Sequence, residues 1–143
     1  MIQRSLRVRV SPSRAFRAWT QSVDLWWPRN HRISGVAKST MVIEEGVGGR
    51  FYERTPEGRE IPYGKVVCWQ PPERLDYDFY LGSDKDSPTR VEVRFNPADE
   101  GTRVDILHHR GGLSEERWAA NNEGYGRAWN HLAQVIVDFM EKT

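Results

Sequence analysis

A chain of 143 residues has room for one hydrophobic core, and its 21 Lys and Arg against 20 Asp and Glu leave a net charge of +1, so bulk charge favours neither nucleic acid nor an anionic membrane surface. A single cysteine, Cys68, excludes an intramolecular disulfide and a multi-thiolate metal site and fits a reducing cytoplasm. The mean hydropathy is −0.72, yet the chain holds six tryptophans and 11% aromatic residues, so a polar exterior must enclose an aromatic interior.

Residues 2–10 set Leu6, Val8 and Val10 against Arg7 and Arg9, the two-residue period of a half-buried strand. This alternation is not a signal peptide, and no apolar run approaches the ~18 residues of a membrane helix. Ser11 and Pro12 form an N-cap followed by proline in the first turn, and Ala15, Phe16 and Trp19 continue at helical spacing. Val23–Trp27 reads as a second short helix or turn, ended by Pro28 and the polar segment Arg29–Lys38. Strands and turns then alternate: Ser39–Glu44, Arg50–Arg54, Ile61–Trp69, Leu75–Leu81, Arg90–Phe95 and Arg103–His109. Beyond them Tyr125, Trp129, Leu132, Ile136 and Met140 recur at three and four, predicting an amphipathic helix from about Trp118 or Asn122 to Lys142.

One strand, two short helices, six strands in series and a long helix describe an α+β arrangement: a curved antiparallel sheet of about seven strands with its helices on one face. A cavity can remain where the twisted sheet and the helix diverge. No linker or repeat divides the chain, so one domain is expected over residues 1–143.

Several short motifs occur in order along nearly the whole chain. They are Ser11-Pro12-Ser13-Arg14-Ala15-Phe16-Arg17-Ala18-Trp19, Trp26-Trp27, Gly48-Gly49-Arg50-Phe51, Gly64-Lys65-Val66, Pro71-Pro72-Glu73-Arg74-Leu75, Pro88 through Phe95, Gly101-Thr102-Arg103-Val104, and the late Gly126, Trp129 and Leu132. Together they resemble the bacterial branch of the heat-shock-protein-90 ATPase activator-like family, within the START-related, Bet v-like helix-grip superfamily (SRPBCC). The resemblance implies a helix-grip fold with an apolar pocket between sheet and last helix. It says less about chemistry, because that architecture serves carriers, receptors, cyclases and co-chaperone domains alike. The chaperone-activating proteins behind the family name carry an additional domain for which this chain has no room, so a chaperone partner is not expected.

The positions assigned to the concave face are Phe51, Val66, Tyr77, Phe79, Val91, Val93 and Ile106, with Tyr125 and Trp129 opposite on the helix. They are the expected ligand wall, plain core packing being the alternative for each. His108 falls on the apolar face while His109 points outward. An inward imidazole could orient a ligand or serve as acid or base. Glu53 shares the parity of Phe51, which makes Glu53 and Tyr77 its candidate catalytic partners. Trp26 and Trp27 precede the loop expected to cover one mouth of the cavity, the alternative being one Trp capping the core and the other half exposed.

Gly48-Gly49 and Gly111-Gly112 lack the strand-to-helix context of a phosphate loop. His108-His109 is no metal pair, since neighbours on a strand face opposite ways. No metal or cofactor is expected, nor any nucleic-acid or membrane partner. Arg7, Arg9, Arg90 and Arg94, interleaved with Glu92 and Asp105, read as a solvated sheet face. The leading expectation is a small cytoplasmic protein that binds a hydrophobic or aromatic small molecule, with a homodimer compatible. The alternatives are a cyclase, dehydratase or hydrolase using the same pocket, or a stress-related interaction module.

Overall fold

A computed structural model describes residues 1–142. Its elements are β1 (Ile2–Val8), α1 (Pro12–Thr20), α2 (Val23–Trp26), a 3-10 turn (Arg29–His31), β2 (Thr40–Ile43), β3 (Arg50–Arg54), β4 (Glu60–Gln70), β5 (Arg74–Phe79), β6 (Thr89–Ala98), β7 (Gly101–His109) and α3 (Glu115–Lys142). The seven strands form one antiparallel sheet in the order β1-β7-β6-β5-β4-β3-β2. Hairpins link β2 through β7 in sequence. β1 joins the far side through its pairing with β7, Leu6 opposite Val104 and Ile2 opposite His108. The helices cover one face, as the α+β reading expects.

Local chemistry explains the helix boundaries. Ser11 Oγ accepts from the Arg14 amide at 3.2 Å and Pro12 opens the first turn of α1, so the capping signal in the sequence is realised. α3 begins at Glu115, earlier than the apolar period predicts. Ser114 Oγ accepts from the Arg117 amide at 3.2 Å, and Glu115 and Glu116 occupy the positive end of the helix dipole. Asn121, Asn122, Gly124 and Gly126 hide this stretch from a propensity reading. β1 likewise ends at Val8 rather than Val10, although Val10 remains buried.

α3 is fastened at several points along its length. Asn121 Nδ2 donates to the Gly82 carbonyl at 2.9 Å and Tyr125 Oη to the Leu81 carbonyl at 2.6 Å, tying the first half to the β5–β6 loop. Arg4 of β1 reaches Asn130 Oδ1 at 2.9 Å and the Gly126 carbonyl at 3.2 Å. The helix thus bridges from an edge strand to a loop in mid-sheet, and its inner stripe of Trp129, Leu132, Ile136 and Met140 is buried.

Aromatic side chains run through the core. Phe16, Phe95, Trp19, Trp26, Trp27, Phe51 and Phe79 follow one another with ring centroids 5.2 to 6.3 Å apart, mostly edge to face. Each such ring removes about 150–250 Å² from water, and the offset contacts add to that burial. The tryptophans implied by the composition are therefore mainly structural. Trp69 packs on Phe16, and Trp118 lies over Tyr125.

The opposite face carries an ion-pair ladder. Asp76, almost fully buried, receives Arg74 at 2.6 Å and Arg94 at 2.7 Å, while Arg90 pairs with Asp78 at 2.8 Å. His109 does face outward, but it is only half exposed and bonds Glu92 at 2.7 Å. No helix among the described residues is long and apolar enough to cross a membrane.

Candidate functional site

An apolar cavity of about 160 Å³ lies between the first half of α3 and the sheet, lined by Trp27, His31, Phe79, Leu81, Gly82, His108, Tyr125, Ala128, Trp129 and Leu132. It occupies only one end of the concave face, because α1 and α2 fill the other. Val66, Val91, Val93 and Ile106 point inward as expected and are fully buried, yet they belong to the packed core and do not line this cavity. Phe51 stands one ring behind Phe79 and Trp27. Trp26 turns away, packing edge-on to Trp19 and donating Nε1–H to the Ala18 carbonyl at 3.0 Å. Trp27 is the tryptophan of the pair that faces the cavity, and both are buried.

His108 sits in the wall with its two ring nitrogens engaged. Trp129 Nε1 lies 2.9 Å from Nδ1 and Thr89 Oγ1 lies 2.8 Å from Nε2. An indole N–H can only donate, so Nδ1 is the acceptor and the proton resides on Nε2. Thr89 accepts that proton and passes its own hydroxyl hydrogen to the Phe79 carbonyl at 3.2 Å. Burial first, then the nearby His109 and the chain's amino terminus, push the imidazole pKa down to about 3. His108 is thus a neutral, doubly bonded group across the physiological range. The Tyr125 ring is tilted against it with centroids 4.4 Å apart, and Trp118 packs edge-on to it.

Glu53 is inward and fully buried, as the parity with Phe51 predicts, but it serves a different cluster. Tyr63 Oη donates to Oε1 at 2.8 Å, the Ser34 amide donates to Oε1 at 3.1 Å, and the Ser34 hydroxyl donates to Oε2. Burial favours the neutral acid, but the hydrogen bonds from Ser34, Ser39 and Tyr63 outweigh it and hold the pKa below the usual carboxylate value. The rings of Tyr63, Trp27 and Phe79 stand in succession between this cluster and His108. His108 and Glu53 therefore do not converge. Tyr77 is buried beside Phe51 and Phe79, and its hydroxyl has no hydrogen bond of good geometry. Burial, only partly offset by the Trp19 side chain, raises its pKa.

The segment after Trp27 does cover one side of the cavity, and it is pinned on both flanks. Arg32 is buried and grips Asp24 Oδ1 at 2.9 Å, the Ser39 carbonyl at 2.9 Å and the Trp27 carbonyl at 2.8 Å. Tyr63 Oη accepts from the Ile33 amide at 2.7 Å. Between these anchors His31 enters the cavity wall and stacks on His131 of α3, ring centroids 5.3 Å apart. His31, Leu81, Gly82, Ala128 and Leu132 also line the wall, beyond the positions expected from the sequence. Two of these carry a sequence signal, Leu132 by its place on the inner stripe of α3 and Leu81 by its period-two alternation with Tyr77 and Phe79. No three His, Cys, Asp or Glu side chains gather as a metal site among the described residues.

A seven-stranded sheet gripping a long carboxy-terminal helix over an apolar cavity is the helix-grip architecture. The family model described as Activator of Hsp90 ATPase homolog 1-like protein matches residues 9–137. The chain belongs to that family. Among solved structures it is similar to protein NE0264 of Nitrosomonas europaea, with 14% identity, TM-score 0.69 and 99% of this chain and 94% of that one covered. It is also similar to protein MLL2253 of Mesorhizobium loti, with 18% identity, TM-score 0.69 and 99% and 97% covered. The Aha1 dimer of Colwellia psychrerythraea aligns with 15% identity, TM-score 0.59 and 98% and 95% covered. At these identities the likeness concerns the fold. No curated protein matches the chain.

Proposed function

We propose that this Activator of Hsp90 ATPase homolog 1-like chain is a cytoplasmic small-molecule binding protein, one helix-grip domain over residues 1–143, whose ligand is a hydrophobic or aromatic molecule of one or two rings. The observation that carries the reading is the cavity of about 160 Å³ walled by Trp27, Phe79, Leu81, Tyr125, Trp129 and Leu132. Apolar cavities of roughly 150 Å³ take up benzene-sized guests, whereas a polar pocket of that size fills with water. Affinity would come from apolar surface removed from water, at about 25 cal/mol per Å² before association costs. The polar groups in the deep wall are already satisfied: His108 by Trp129 and Thr89, Tyr125 by the Leu81 carbonyl. They leave nothing for a ligand to pair with, so the buried part of the ligand is apolar.

Acid–base catalysis has less support. Its leading candidate, His108, is held neutral with both nitrogens occupied, and Glu53 lies behind a layer of rings. Self-association, for which the Colwellia dimer is the precedent, leaves the pocket reading unchanged. The test is titration of ¹⁵N-labelled protein with toluene, indole and naphthalene. Saturable one-to-one shifts of the Trp129 indole N–H are expected, and an unresponsive Trp129 signal with all three contradicts the reading.

A further inference from the structure

His31 differs from every other polar group of the cavity wall. No protein hydrogen bond among the described residues engages its ring nitrogens, and its one ring partner is the stacked imidazole of His131. His31 is half-buried and His131 exposed, so the pair reaches from the cavity wall to the solvent edge of α3. One turn before His131, Arg127 has neither ion pair nor hydrogen bond among the described residues. Two facing imidazoles with a free guanidinium nearby and no carboxylate between them form a rim that lacks its counter-charge.

We propose that the natural ligand is a small aromatic acid, whose ring fills the cavity and whose carboxylate lies at the rim against His31 and His131. This rests on the pocket reading above and specifies its ligand class. Deep in the cavity an anion would find only apolar walls and satisfied polar groups, a costly place for charge. At the rim it would receive charge-assisted hydrogen bonds from imidazolium donors.

The other charged groups around His31 do not compete for this role. On its own segment, Arg29 is held by the Ser39 carbonyl and Arg32 by Asp24. On β3, Glu53 is committed to Ser34 and Tyr63. Across the cavity on β7, His108 stays neutral. From α3, His131 alone meets the ring, with Arg127 a turn away. Burial and then the charge of His131 hold the His31 pKa below its ordinary value. A bound carboxylate reverses that balance, so binding takes up a proton and strengthens as the pH falls towards 6, while the ligand's own carboxyl, with a pKa near about 4, stays ionised.

The experiment compares phenylacetate with phenylacetamide, which share a ring and differ in charge. Dissociation constants are read from the Trp129 indole signal at pH 6.0 and pH 8.0. The acid is expected to bind at least about tenfold more tightly at pH 6.0 than at pH 8.0, within the roughly hundredfold that one linked proton allows over two pH units, with the amide indifferent to pH. H31Q should reduce that dependence to less than about threefold, since it removes the linked imidazole, while H131Q, an exposed change, should weaken the acid at both pH values and leave the amide unchanged. If amide and acid bind equally at both pH values, the carboxylate assignment is wrong and the apolar pocket stands. If neither ligand moves the Trp129 signal, and toluene and indole do not either, the pocket reading itself has failed.

Discussion

Trp129 donates its indole N–H to Nδ1 of His108 across 2.9 Å, and both side chains are buried in the wall of the same cavity. The bond joins the carboxy-terminal helix to the last strand and fixes the imidazole in its Nε2–H form. Trp129→Phe leaves Nδ1 an unpaired buried acceptor and opens space beside it. Chemical denaturation should show a loss of about 2–4 kcal/mol, from the orphaned acceptor plus the lost packing. A loss below about 0.5 kcal/mol, the range of a neutral surface change, would mean that the bond does not organise the wall.

Stability should fall on mild acidification, before carboxylates titrate. The folded His108 has a pKa of about 3, against about 6.5 in the unfolded chain. Between those values the unfolded state binds more protons, so the contribution is complete above pH 6.5 and lost progressively down to pH 3. At pH 5 the loss is about 2 kcal/mol. His31, also shifted down, acts in the same direction. Imidazole ¹⁵N spectra should show His108 neutral from pH 5 to 8, and a His108 titration midpoint near 6.5 would refute the assignment.

Gly82 supports the cavity mouth through the conformation of its backbone. Its φ is +72°, and a Cβ there would stand 2.4 Å from the Tyr125 hydroxyl. Gly82→Ala should therefore displace Tyr125 from the Leu81 carbonyl and cost about 1–3 kcal/mol. Thermal denaturation reports the cost, and the Tyr125 ring resonances report the displacement.

Much of this was legible in the sequence. Period-two alternation located β1 and β5 to β7, the intervening Gly and Pro turns marked off β2 to β4, Ser11-Pro12 located α1, and the spacing of Tyr125, Trp129 and Leu132 identified the buried face of α3. Parity placed His108 and Glu53 inward. Their partners were not legible, because Ser34 lies 19 residues from Glu53 and Trp129 lies 21 from His108, and only the fold brings them together. The division of the concave face was equally hidden. Val91 and His108 are cross-strand neighbours, yet only His108 reaches the cavity, because helix placement decides which part of the sheet stays uncovered. His31 sits in a segment without periodicity, and Ala128 is too small to register as a wall.

Glu53 predicts a separable effect on the covering segment. Glu53→Gln keeps the shape but loses the charge that Ser34 and Tyr63 converge on. It should cost about 1–3 kcal/mol at pH 7 and speed amide exchange at Ile33 and Ser34, leaving exchange in β6 and β7 unchanged relative to global stability. Unaltered exchange at Ser34 would show that the carboxylate does not hold this segment.

The most direct test of the account fills the cavity from within. Ala128 lines it from α3, and Ala128→Phe places a ring where the ligand's would lie. With folding verified by the dispersed amide spectrum, wild-type protein should bind indole or naphthalene one to one, and A128F should lose at least about tenfold in affinity, since that ring takes the volume a guest of this size needs. Equal affinity of both proteins would place the ligand elsewhere and contradict the assignment.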